Sequence, residues 1–155
     1  MNNKKKIIAW LLFIFWLLLI FFFSQQNGVS SSSLSNGLLA EIEKLIHIPL
    51  TSEVAGYIIR KLAHFTEYFI LGILTCNLVK EYFALNKKQY ILIMLFCIFY
   101  AFSDEFHQLF ISGRSGQIKD VLIDSSGSLV GLICYYFIKN KKRKIEMIFK
   151  SKENT

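Results

Sequence analysis

Apolar residues are not scattered along the chain at globular spacing; they come in long blocks with basic residues at their ends. Ile7 to Phe23 is an unbroken apolar run of seventeen residues behind Lys4, Lys5 and Lys6. It is longer than the core of a cleaved signal peptide, and Ser24-Gln25-Gln26-Asn27 offers no small-x-small cleavage site, so it is predicted to be a retained transmembrane helix. Three further blocks run from about Tyr57 to Val79, Gln89 to Phe110 and Lys119 to Ile138. Each has about the 20 residues that cross a hydrocarbon core. The pattern predicts an all-α integral membrane bundle of four transmembrane helices, a single domain over residues 1–155.

Between the first two spans lies Ser24 to Gly56, opening with a Ser-rich stretch from Ser30 to Ser35 that reads as a linker. Leu38, Leu39, Ile42, Leu45 and Ile46 then fall at helical spacing opposite Glu41, Glu43 and Lys44, an amphipathic segment for the outer surface of the bilayer or the mouth of the bundle. Pro49 breaks the chain before Thr51-Ser52-Glu53, where the second span is expected to start.

Composition agrees with the blocks. Of 155 residues 54% are hydrophobic, 15 are Phe and one is Pro, too little polar material to cover a water-soluble domain. The net charge of +7 would suit a nucleic-acid binder, but the basic residues flank the spans, and Lys139 to Lys144 more simply meets anionic lipid. Thirteen Lys and Arg fall in the terminal and 80–88 segments against five in the others. This asymmetry predicts both termini, including the basic tail 139–155, on the cytoplasmic side of a cell membrane. Cys76, Cys97 and Cys134 stand singly in apolar surroundings, without disulfide or thiolate-metal spacing.

The polar residues inside the spans carry the chemistry. At roughly 1.5 Å per residue, Glu67, Asp104 and Asp124 stand about 18, 22 and 21 Å from the inner ends of their spans. Lys61, His64, Glu67 and Tyr68 share one helix face, as do Asp104, His107 and Gln108 with Glu105 beside them, and Asp120, Asp124, Gly127 and Gly131. Ionisable groups at membrane depth face the bundle interior or a watery cavity, so one outward-opening polar pocket is expected. Arg114, in the turn Ser112-Gly113-Arg114-Ser115-Gly116, has the forked donors of an anion clamp. Gly127-Ser128-Leu129-Val130-Gly131 is a GxxxG segment that lets a neighbouring helix approach closely.

Several chemistries fit these residues. Lys61 and Arg114 would hold an anionic group of a lipid-linked or cell-wall substrate while His64, Glu67, Asp104, Glu105 and His107 move protons, with Tyr68, Gln108, Asp120 and Asp124 in support. His64-x-x-Glu67 and Asp104-x-x-His107 would alternatively supply a metal site of the helical-bundle kind. The same charges would also serve as a structural network that only holds the bundle. A proton or solute pathway is disfavoured because the inner halves of the spans hold few polar groups beyond Thr75 and Asn77.

The series Lys61-x-x-His64-x-x-Glu67-Tyr68, Ser103-Asp104-Glu105-x-His107-Gln108 and Gly113-Arg114 followed by Asp120, Asp124, Gly127 and Gly131 resembles the VanZ-like family over roughly residues 7 to 138. These are small multi-span membrane proteins named for one linked to teicoplanin resistance. The resemblance implies a cell-envelope role and glycopeptide resistance, and it brings no defined reaction or cofactor. Ser112 stands where the family often carries Pro, and Asp124 where it also accepts Asn.

The predicted topology has a direct test. In a chain whose native cysteines are replaced by alanine, Ser30→Cys and Ile145→Cys are expected to react with an impermeant maleimide from opposite faces of the membrane. Labelling of both from one face would contradict it.

Overall fold

A computed structural model describes residues 3–46 and 53–153; Pro49 and the Thr51-Ser52 start of the second span lie outside the described residues. Five helices follow in order: α1 (Asn3–Ser24), α2 (Gly28–Ile46), α3 (Glu53–Val79), α4 (Lys87–Gln108) and α5 (Ile118–Glu153). Among the described residues four helices are long and apolar enough to cross a membrane: α1, α3 from Val54, α4, and α5 as far as Lys141. The protein is an all-α, multi-pass membrane bundle.

The polarity of the bundle is inverted relative to a soluble one. Phe15, Phe22, Phe99 and Phe110 are 60–73% exposed, forming part of an apolar coat for lipid chains. Asp124 and Ser128, by contrast, are completely buried together with Tyr68 and Leu71. In hydrocarbon, exposed apolar side chains carry no penalty and polar ones are driven to find each other inside.

α3 and α5 form the most extensive interface. A Cβ on Gly127 or Gly131 would lie 2.3 Å from the carbonyl oxygen of Phe65 or Phe69, and one on Gly72 would lie 2.7 Å from that of Ser128. Only hydrogen fits at these crossings, which bears out the close-approach reading of the GxxxG segment. Ser128 Oγ donates to the Tyr68 carbonyl at 3.2 Å across the same seam. α1 is fastened to α3 by Trp16 Nε1, which donates to the Glu67 carbonyl at 2.8 Å, and to α4 by Tyr100 Oη, which donates to the Leu17 carbonyl at 2.8 Å.

The two ends of the bundle differ. At one, Trp10 Nε1 donates to Tyr82 Oη at 2.9 Å, and Tyr90 meets Tyr136 with ring centroids 5.9 Å apart. The start of α1, the α3–α4 connection and the end of the α5 span therefore lie together. At the other, Gly28 N–H donates to the Ser112 carbonyl at 3.2 Å, so the α1–α2 corner touches the α4–α5 loop. Gly113 there has φ +75°, a left-handed conformation that glycine adopts without Cβ strain.

Three boundaries differ from the sequence reading. The Ser-rich stretch is no linker: it forms the first half of α2. Asn27 Oδ1 accepts from Ser30 N–H at 2.8 Å, capping the helix, while Ser32 and Ser35 hydroxyls donate to the carbonyls of Gly28 and Ser31. Ser31 and Ser35, one turn apart, are buried. Of the apolar stripe beyond them, Leu39 is buried whereas Leu38, Ile42 and Leu45 stay exposed. α4 runs from Lys87 to Gln108 instead of 89–110, because Asn86 caps it by accepting from the Lys88 and Gln89 N–H groups. α5 continues through the basic tail to Glu153, a stretch of strong helix formers without Gly or Pro after Gly131.

Substitution should separate the crossing glycines from an idle one. Gly127→Ala and Gly131→Ala are each expected to lower unfolding free energy in detergent by about 1–3 kcal/mol through backbone collision. Gly37, with nothing within 4 Å of its would-be Cβ, is the control. Gly37→Ala should instead add about 0.5–1 kcal/mol of helix stability.

Candidate functional site

Three helices deliver carboxylates and an imidazole to one buried point. The ligating atoms of His64 (α3), Asp104 and Glu105 (α4) and Asp124 (α5) all lie within 4.8 Å of one another. His64 Nδ1 stands 3.5 Å from Asp124 Oδ1, close enough for attraction and too far for a good hydrogen bond. Asp104 Oδ2 accepts from Gln108 Nε2 at 3.4 Å, and Glu105 Oε2 accepts from the Gln117 backbone N–H at 2.9 Å. Both Asp124 oxygens, Glu105 Oε1 and Tyr68 Oη are buried without a hydrogen-bond partner.

Beside this cluster is a cavity of about 170 Å³ enclosed by α1, α2, α3, α4 and the α4–α5 loop. Its polar lining comprises Ser24, Gln26, Ser31, Ser35, Arg60, His64, Glu67, Asp104 and Arg114. His64 and Asp104 belong to both the cluster and the cavity wall, so the two adjoin. Ile20, Leu34, Leu38 and Ile59 supply part of the apolar lining.

Arg114 fixes the mouth. Its Nε donates to the Gln26 carbonyl at 3.0 Å, one terminal nitrogen to Gln108 Oε1 at 3.1 Å and the other to the Phe23 carbonyl at 3.3 Å. One guanidinium thus joins the end of α1, the end of α4 and the loop that begins α5. Burial pulls its pKa below the ordinary arginine value; the Arg60 charge adds to this, and Asp104, Glu105 and Glu67 oppose it.

Not every expected residue reaches the cavity. Lys61 pairs with Asp120 and sits 4.9 Å from the centre of the Tyr57 ring. His107 turns toward α1, its ring 5.0 Å from that of Phe21, with Nε2 buried and unpartnered. At 3.6 residues per turn, positions 107 and 108 fall on opposite sides of Asp104, so Gln108 joins the cluster and His107 leaves it. Glu67 lines the cavity but stands outside the four-residue group.

Arg60 is the residue that sequence reasoning missed. It lines the cavity, donates to Ser32 Oγ at 3.1 Å, and its Nε is buried without a partner. The signal was present: Arg60, His64 and Glu67 fall at i, i+4, i+7, a tighter helical stripe than the one starting at Lys61. Ser24, Ser31 and Ser35 had no comparable mark, because their role depends on α2 folding back over α3.

Comparison with known proteins places the chain in a family context. The family model described as VanZ/LLP1 matches residues 9–139, which takes in most or all of each span and every residue of the cluster and cavity. No curated protein matches the chain, and no solved structure does.

Arg114→Gln is expected to lower stability by about 1–3 kcal/mol, since it leaves the Phe23 and Gln26 carbonyls without their donor. Arg114→Lys should recover little of this, because an ammonium does not span acceptors held by a planar fork. Thermal unfolding of the three proteins in detergent reads both effects.

Proposed function

Since the chain belongs to the VanZ/LLP1 family, we propose that it is a cell-envelope protein whose cavity opens outward and binds the anionic head of a lipid-linked or cell-wall component, contributing to glycopeptide (teicoplanin) resistance. The observation that carries this reading is the presence of two guanidinium groups, Arg60 and Arg114, on one cavity of about 170 Å³. Arginine forks match phosphate and carboxylate geometry. Arg60 keeps an unpartnered buried Nε for such a group.

Sidedness follows from the basic-residue bias. The cavity lies at the end of the bundle away from the start of α1 and the end of the α5 span. With the termini in the cytoplasm, that end faces outward. The volume suits a phosphate-sized head, and Ile20, Leu34, Leu38 and Ile59 suit the first carbons of its chain. His64 and Glu67 on the same wall would orient the head or exchange a proton with it. Arg114 and Arg60 hold this role in place of Lys61, whose charge Asp120 already neutralises.

A second reading is favoured by one set of contacts. Arg114 bonds to Gln108 and to the carbonyls of Phe23 and Gln26, and Lys61 pairs with Asp120, each tying separate elements together. On that reading the charges hold the bundle and nothing more.

Arg60→Gln and Glu67→Gln discriminate the two, as both keep shape while removing charge. Binding of a phosphate-headed lipid should fall at least about tenfold in Arg60→Gln, in line with loss of one charge-assisted hydrogen bond of roughly 1.5–3 kcal/mol. Teicoplanin susceptibility should rise in cells carrying either variant at normal membrane levels. Wild-type binding and susceptibility in both variants would overturn the proposal, and collapse of folding in both would favour the structural reading.

A further inference from the structure

We propose that His64, Asp104, Glu105 and Asp124 bind one divalent first-row metal cation, such as zinc or manganese, between α3, α4 and α5. This goes beyond the anion-binding reading and stands without it, because it rests on the cluster and not on the arginines.

The donor atoms are already gathered within 4.8 Å of one another. Ligands at roughly 2.0–2.2 Å from a tetrahedral metal lie about 3.4 Å apart, so the donors have at most about 1.4 Å to close. One imidazole and three carboxylates form a mixed nitrogen–oxygen set suited to zinc and to manganese.

Two further observations support a cation site. Asp124 is 0% exposed and Glu105 4% exposed, yet both Asp124 oxygens and Glu105 Oε1 have no hydrogen-bond partner. Asp124 has only the His64 imidazole at 3.5 Å, and Glu105 only the Gln117 N–H on its other oxygen, so the free oxygens of both are available to a cation. Among the described residues no Lys or Arg stands at ion-pair distance from Asp104, Glu105 or Asp124: Lys61 pairs with Asp120, Arg60 donates to Ser32, and Arg114 donates to Gln108 and two carbonyls.

The second observation is an outer shell of the kind that aims metal ligands. Gln108 holds one oxygen of Asp104, and the Gln117 N–H holds one oxygen of Glu105, which leaves Glu105 Oε1 available. The pairing of Glu67 and His107 with His64 and Asp104 gives way to Glu105 on α4 and Asp124 on α5. The cavity adjoins the site through His64 and Asp104.

The test is metal content of the full-length protein purified in detergent without chelator, followed by titration of the chelator-stripped protein with zinc or manganese alone. About one metal per chain is expected, with a melting temperature that falls on stripping and recovers on addition of the metal. Glu105→Gln and Asp124→Asn should each weaken metal binding at least about tenfold. Asp120→Asn, which changes only the carboxylate paired with Lys61, should retain it. Should Asp124→Asn fail to fold, Glu105→Gln and the wild-type titration still decide the matter. Wild-type protein that neither carries nor takes up zinc or manganese at about micromolar concentration would overturn the proposal, as would undiminished binding in Glu105→Gln. A protein that binds metal but no phosphate-headed lipid would refute only the anion reading, and one that binds the lipid in chelator with no metal uptake would refute only the metal.

Discussion

At Gly127 and Gly131, α5 lies so close to α3 that a Cβ would strike the Phe65 and Phe69 carbonyl oxygens at 2.3 Å. The buried carboxylate of α5 depends on that approach. Asp124 precedes Gly127 by three positions on the same helix face, so the contact that seats the glycines also carries the carboxylate against His64. A thicker seam would hold Asp124 away from α3 and open it to lipid. In a membrane, where burying apolar surface between helices gives little net drive, tight small-residue packing is a main source of association. Here that packing also determines which charges meet.

The rest of the bundle is arranged around this seam. α4 contributes Asp104, Glu105 and Gln108 from one side of its last turns, while α1 and α2 close the cavity that the seam leaves beside it. Arg114 fastens this lid through backbone carbonyls of α1 and its corner. Gly28 and Gly113 meet at the same corner, so the loop after α4 and the turn after α1 restrain one another. The bundle is thus fastened by aromatic residues, among them the Trp10–Tyr82 bond, at the end where the α3–α4 connection lies and by Arg114 and backbone contacts at the other.

Much of this was legible in the chain. Uninterrupted apolar length gave the spans, and depth counted along each helix put Glu67, Asp104 and Asp124 at a similar level, with His64 on the Glu67 face and Glu105 beside Asp104. What could not be read came from interactions between elements. Counting depth says nothing of helix rotation, so His107 was grouped with residues from which it turns away toward Phe21. Arg60 was legible as the tighter i, i+4, i+7 stripe with His64 and Glu67, whereas the pairing of Lys61 with Asp120 on α5 was not. The serines of α2 resemble a linker by composition; their hydroxyls become helix-compatible by donating to carbonyls four residues back, with Asn27 supplying the cap.

His64 and Asp124 at the α3–α5 seam act as one coupled unit, not as separate polar side chains. A double-mutant cycle on His64→Gln and Asp124→Asn, followed by unfolding free energy in detergent, measures this directly. Strong non-additivity, on the order of 1–3 kcal/mol, is expected, since either substitution alone already dismantles the shared cluster. Effects that add to within about 0.5 kcal/mol would contradict it.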